Sequence, residues 1–296
     1  MLLSWDALRS WLSRLSQERF SGLCFSFIQI KHQARMVLML SSSVESVVGS
    51  DVTVAVLEFF RTWKLLREAN GSIISMIPKV LNACFLSDFR PISCCNTIYK
   101  CISKIIASRL RKVLPSFINK AQSAFIHGRR IFDNILMVQE LMRGYLLDFG
   151  APRCDFKIDF FKAFDSVRWE FLWDALELLG LPARFSSWIK SCVTSSLFSI
   201  NINGSLYVYF PGKRGLRQGD PISPFLFVIC MEVFSRILES LISSSVSFKF
   251  HWRCGKTVIS HLCFADDVVV LLWQCGVGFS LKAGAGYFFF YVRVVY

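Results

Sequence analysis

The sequence predicts a mixed α+β fold in which helices and strands follow one another irregularly. Three observations lead there. Several windows repeat apolar residues at helical spacing, the clearest from Thr97 to Leu114. Leu197 to Ile202, Asn203-Gly204 and Leu206 to Phe210 read as a β-hairpin, because Asn-Gly supplies two positive-φ turn positions. No regular strand–helix–strand repeat links these parts, which argues against a parallel α/β sheet.

Taken in order, residues 1–43 carry no clear signal and stay unassigned, with Ser41-Ser42-Ser43 reading as a linker. From Val44 the pattern becomes regular. Val52 to Leu66 reads as an amphipathic helix, and Ser72 to Ile77 as a strand running into Pro78-Lys79. At 100° per residue, Ile98, Ile102, Ile105, Ile106 and Val113 share one face of the 97–114 helix. Lys100, Lys104 and Arg111 share the opposite face, either as a solvated surface or as one turned towards phosphates. Asp133 is expected to cap a helix reaching about Leu147. Asp165 or Ser166 is expected to start another, ending at Gly180 with Pro182 just beyond. Ser223 and Pro224 open an apolar helix to about Leu241. Val258 to Phe264 and Val268 to Leu272 form a second hairpin.

Composition narrows the function. The 296 residues suffice for one large domain or two lobes, and 53% are hydrophobic. Lys+Arg 34 against Asp+Glu 21 leaves a net charge of +13, which favours a polyanion such as nucleic acid but also fits a membrane surface. Eleven irregularly placed cysteines and no secretory signal read as reduced thiols of an intracellular protein, nuclear or cytoplasmic. The longest apolar runs are cut by Glu232 and by Asp266-Asp267, so no membrane span is expected.

That last pair is the most informative feature of the chain. Asp266 and Asp267 interrupt an apolar run from Leu262 to Leu272, where an ionised carboxylate costs several kcal/mol unless compensated. Asp-Asp could be a plain hairpin tip. Asp159, however, lies in a second apolar strand, Phe156 to Phe160, and strands that each expose acid at one point can converge on metal ions. Between them runs the basic, glycine-punctuated loop Arg214 to Pro221, whose Arg and Gln side chains offer donors to a nucleotide or template backbone. His251, Cys254, His261 and Cys263 have zinc-ligand chemistry but no standard spacing, and are set aside.

Six segments in fixed order resemble the reverse transcriptases of LINE-type retrotransposons, which lack long terminal repeats. They are SMIPK (75–79), SDFRPISCCNTIYKCISKIIASRL (87–110), QSAFIHGR (122–129), FKIDFFKAFDSV (156–167), RGLRQGDPISPFLF (214–227) and HLCFADD (261–267). The resemblance implies a right-hand polymerase lobe of fingers and palm over 44–273, with an antiparallel, RNA-recognition-motif-like palm sheet. It implies Asp159, Asp266 and Asp267 as catalytic carboxylates holding two Mg²⁺ ions, with Mn²⁺ as a substitute. Lys79 and Arg90 would meet the incoming triphosphate, Phe164 would exclude a 2′-hydroxyl, and Gln218 would line the nucleotide pocket. Asp165 reads as a helix cap. The implied partners are an RNA template, a DNA primer and dNTPs, without a membrane.

The resemblance stops after Leu272. Residues 274–296 match neither later palm segments nor a thumb, so a truncated enzyme is expected. Two rivals stay open: an inactive nucleic-acid-binding remnant, and a splicing factor like the group II intron maturases.

Overall fold

A computed structural model of the chain describes residues 48–143, 154–244, 254, 259–272 and 290–295. Helix α1 (Val48–Thr62) is followed by the hairpin β1 (Gly71–Pro78) and β2 (Phe89–Cys95), then by α2 (Thr97–Val113) and α3 (Ile131–Met142). Strand β3 (Cys154–Phe160) leads through α4 (Ala163–Ser166), α5 (Trp169–Leu178) and α6 (Ala183–Thr194) into the hairpin β4 (Leu197–Ile202) and β5 (Ser205–Pro211). The long α7 (Ser223–Ser244), β6 (His261–Phe264), β7 (Asp267–Leu272) and β8 (Phe290–Val295) complete the order. The class is mixed α+β, as expected.

Local chemistry explains most boundaries. Asn96 caps α2, its Oδ1 accepting from the Ile98 N–H at 2.9 Å. Ile102, Ile105 and Ile106 are buried on the predicted face, while Lys100, Lys104 and Arg111 are exposed. Asn203 and Gly204 take φ of +51° and +85°, closing β4 onto β5 as the Asn-Gly signal requires. Trp63 adopts φ +63°, which stops α1 short of the Leu66 expected from the apolar pattern.

Three helix expectations need correction. Asp133 sits inside the first turn of α3, Arg130 holds the N-cap position without a side-chain cap bond, and the helix ends at Met142. The segment after β3 is two helices rather than one. Lys162 enters the left-handed region at φ +46° to start α4, and Arg168, not Asp165 or Ser166, precedes α5. Gly180 does end α5: at φ +70° it donates to Glu177 while Leu181 donates to Leu176, the paired bonds of a Schellman turn. Helix α6 was not anticipated, although Pro182 marks its start and Phe185, Trp188, Ile189 and Cys192 recur at helical spacing.

Among the described residues the strands form two four-stranded sheets, in the orders β2-β1-β4-β5 and β6-β7-β3-β8. In the second sheet β3 pairs antiparallel with both β7 and β8. Strand β8 comes from the 274–296 tail, where the sequence pattern indicated no element. Helix α7 is the centre of the core. Leu226 to Met231 are buried all round, and each such side chain contributes roughly 1.5–3 kcal/mol of burial. Helix α5 packs against it. The core thereby fixes the backs of the elements that carry the acids.

Candidate functional site

Asp159 is the penultimate residue of β3, and Asp267 is the first residue of β7; the register sets the two directly opposite each other. Opposed residues of an antiparallel pair share a face with Cβ atoms roughly 4.5–5.5 Å apart. Ala265 and Asp266 form the tight turn from β6 to β7. Two residues 107 apart in sequence, Asp159 and Asp266, thus reach the same end of one sheet. Ala265 takes φ +54°, a left-handed conformation that costs alanine roughly 1–2 kcal/mol.

The electrostatics match an acid cluster. Burial pushes the Asp266 carboxyl above its ordinary range, and Asp267 and Asp159 push the same way. Its own backbone N–H and Lys157 oppose them. Lys157 Nζ lies 3.1 Å from Asp267 Oδ1, both side chains being about half exposed, so this pair is worth little. In the rotamers present, no three His, Cys, Asp or Glu side chains converge into a finished metal cage among the described residues. The donor set still suits a hard divalent cation, because all three groups are carboxylates and Asp159 and Asp267 are exposed. A cation would also relieve the repulsion on Asp266.

The loop after β5 is clasped from two sides. Gly215 donates to Val167 C=O and Leu216 donates to Phe164 C=O, each at 2.8 Å. On the other side Ser93 of β2 donates to Gln218 C=O at 2.7 Å. Gly219, at φ +102°, approaches so closely that an added Cβ would meet Ser93 O at 2.9 Å. Gln218 is half buried and lines an open cavity of about 830 Å³ between this loop and the first sheet, with Ser93, Phe198, Lys213 and Arg214. Lys79 and Arg90 are exposed at the far end of the β1–β2 hairpin; Lys79 Nζ donates to Ser87 C=O at 3.1 Å. They belong to the other sheet from the acids. Phe164 is half buried and stacks on Phe227, with ring centroids 4.9 Å apart and an 11° interplanar angle.

The loop's donors need one correction. Arg217 is not available to a nucleotide. Its Nη1 donates to Asn70 Oδ1 at 2.7 Å and to Ser72 at 3.1 Å, its Nη2 to Cys192 C=O at 3.0 Å, and its Nε lies 3.3 Å from Asp220. The guanidinium also lies 3.9 Å from the Tyr99 ring centroid, and Tyr99 donates to Asp220. Burial, then the Asp220 carboxylate, pushes the Tyr99 phenol well above its usual range. This buried network ties the loop to β1, α2 and α6. The sequence signal for it was an Arg and an Asp three apart in a glycine-rich turn, which reads equally well as a ligand site.

The zinc reading is not supported. His251 lies outside the described residues. His261 is buried with Nδ1 at 2.9 Å from Ser260 Oγ and Nε2 at 3.0 Å from Ser235 Oγ, so both ring nitrogens are engaged. Burial pushes the Cys263 thiol up to about 12 and lowers His261 from 6.5 to about 4. A histidine held neutral stabilises the fold fully above pH 6.5 and loses that contribution as pH falls towards 4. Denaturant midpoints measured from pH 7.5 to 4.5 are expected to decline with one extra bound proton in the unfolded state, and His261→Asn should flatten that slope. An unchanged slope would place the proton elsewhere.

Comparison with known proteins bears on the family of the chain. The family described as reverse transcriptase (RNA-dependent DNA polymerase) matches residues 77–274. A 149 kDa protein of transposon TX1 from Xenopus laevis, itself uncharacterised, is 29% identical over 223 residues, 75% of this chain and 17% of that protein. The Pol polyprotein of the type-2 retrotransposable element R2DM from Drosophila melanogaster is 32% identical over 194 residues, 66% of this chain and 17% of its own length. The chain therefore spans about one sixth of these relatives. An apo telomerase structure from Candida tropicalis aligns over 71% of this chain and 45% of its own with 12% identity and a TM-score of 0.49. With two thirds of its length matched by the family, the chain belongs to the reverse transcriptase family.

Proposed function

We propose that the chain carries the fingers and palm, residues 44–273, of an RNA-directed DNA polymerase from a LINE-type retrotransposon. The observation that carries this is Asp159 opposite Asp267, with Asp266 in the adjoining turn. Asp159, Asp266 and Asp267 would hold two Mg²⁺ ions. When bound, such ions help ionise a primer 3′-hydroxyl and neutralise charge on the reacting phosphates.

The chain's own residues would do the positioning. Lys79 and Arg90 would hold the triphosphate of the incoming dNTP, Arg as a planar fork and Lys as a mobile charge. Gln218, fixed to β2 through its backbone, would present its amide to the nucleotide pocket. Phe164, held flat against Phe227, would deny room to a 2′-hydroxyl. RNA template and DNA primer are the polyanionic partners that a charge of +13 suits. No helix among the described residues is long and apolar enough to cross a membrane, and action in the nucleus or cytoplasm fits these partners.

The test is primer extension on an RNA template with Mg²⁺ and dNTPs, beside simple RNA retention. Extension that requires Mg²⁺ is the expected result. Retention without extension favours the inactive remnant, which the exposed Lys100, Lys104 and Arg111 on α2 would also serve. Where turnover is measurable, Phe164→Val should raise ribonucleotide over deoxyribonucleotide incorporation. An unchanged ratio would leave Phe164 as a core residue. Binding itself should be insensitive to sequence and fall steeply with salt, with a log–log slope of about −0.7 per single-strand phosphate neutralised. A salt-independent affinity would remove the electrostatic account.

A further inference from the structure

We infer that Gln122 is a positioning residue that sets the β6–β7 turn presenting Asp266 and Asp267, an inference resting on the metal-binding reading of those carboxylates. Gln122 is only 2% exposed. Its Oε1 accepts from the Ala265 N–H and from the Ala124 N–H, each at 3.0 Å. Its Nε2 donates to the Ala265 C=O at 3.4 Å. Both backbone polar groups of one turn residue therefore end on a single side chain 143 positions away.

A carboxamide suits this task because it offers an acceptor and a donor at once. The neighbouring backbone supports the bracket. Cys263 donates to Ala121 C=O at 2.8 Å and Ser123 donates to Cys263 C=O at 3.0 Å, while Asn134 Nδ2 donates to the same carbonyl at 2.9 Å. Those bonds fix the end of β6. The Gln122 side chain reaches two residues further, to the one turn position where an alanine sits at positive φ. The next two residues are the acids, so a backbone rotation at Ala265 would move both carboxylates relative to Asp159 on β3. Gln122 touches no reacting atom in this reading; it acts through the backbone.

The experiment uses the full chain and Mn²⁺ as the probe. Gln122→Met keeps the length of the side chain and removes both hydrogen-bonding functions. Amide hydrogen exchange should accelerate in a peptide spanning 263–267 while helix α2 keeps its protection. Mn²⁺ affinity, measured by calorimetry or electron paramagnetic resonance, should fall by about 10–100-fold, as for the loss of other groups that orient metal ligands. Gln122→Glu keeps the acceptor oxygen and should recover most of that affinity. Asp266→Asn, run in parallel, separates the two levels. If it leaves Mn²⁺ binding intact, the metal reading fails and takes this inference with it. If it weakens binding but folded Gln122→Met does not, the Gln122 role is wrong and the metal reading stands. Should Gln122→Met fail to fold, Gln122→Glu decides: a folded chain whose 263–267 exchange accelerates while Mn²⁺ affinity stays at the parent value overturns the role.

Discussion

Alanine at Asp159, Asp266 or Asp267 is expected to remove Mg²⁺-dependent primer extension while leaving the helical signal of the chain unchanged. The loss should exceed the roughly 10–100-fold typical when only an outer partner of a metal ligand is removed. The structural reason is that the acids contribute little to the fold. Asp159 and Asp267 are exposed, and the ion pair from Lys157 to Asp267 is a surface contact of small worth. Asp266 is held against its preference, since burial and two neighbouring carboxylates oppose its ionisation. Asp266→Asn should therefore be no less stable than the parent at pH 7 without divalent ions, and more stable if repulsion dominates. Full extension by any of the three alanine variants would sink the metal assignment. Unfolding of all three would make the cluster structural instead.

Arg217→Ala should do the reverse, damaging the fold first. It removes donors to Asn70, Ser72 and Cys192 and strands Asp220 beside a buried Tyr99. Removing one partner of a buried ion pair costs about 3–5 kcal/mol, a large share of the roughly 5–15 kcal/mol that stabilises a domain. Asp220 has a second duty, since its Oδ1 accepts from the Ile222 N–H at the entrance to α7. Arg217→Met combined with Asp220→Asn should cost less than the sum of the two single changes, because no uncompensated charge remains. Urea unfolding of the parent, the two single variants and the double variant, with Arg217→Ala beside them, measures this. A loss below about 1 kcal/mol for Arg217→Ala, the range of surface pairs, would show that the network is solvated in practice.

What could be read from the sequence was whatever depends on near neighbours in the chain. The apolar stripe of α2, the Asn203-Gly204 turn and the Gly180 terminus each act within a few residues, so their chemistry is visible in a short window. The same window fails where a local signal is ambiguous. Asp165 and Ser166 looked like a helix start, but the left-handed Lys162 and the clasp of Gly215 and Leu216 on this segment break it into α4 and α5. The six ordered motifs pointed to the family and hence to Asp159, Asp266 and Asp267 as candidates; their pairing was beyond local reach. That Asp159 faces Asp267 is a matter of strand order and register, and a slip of one residue would turn either acid to the opposite face. The tertiary structure also decided which polar groups stay free for chemistry. Arg217 and Arg214 look alike in the motif, yet Arg217 is buried among five partners, three of them on β1, α2 and α6, while Arg214 remains exposed. Gln122 likewise has no visible role until the fold brings it to Ala265. Burial and long-range hydrogen bonding belong to the folded chain as a whole, and no sequence window contains both partners.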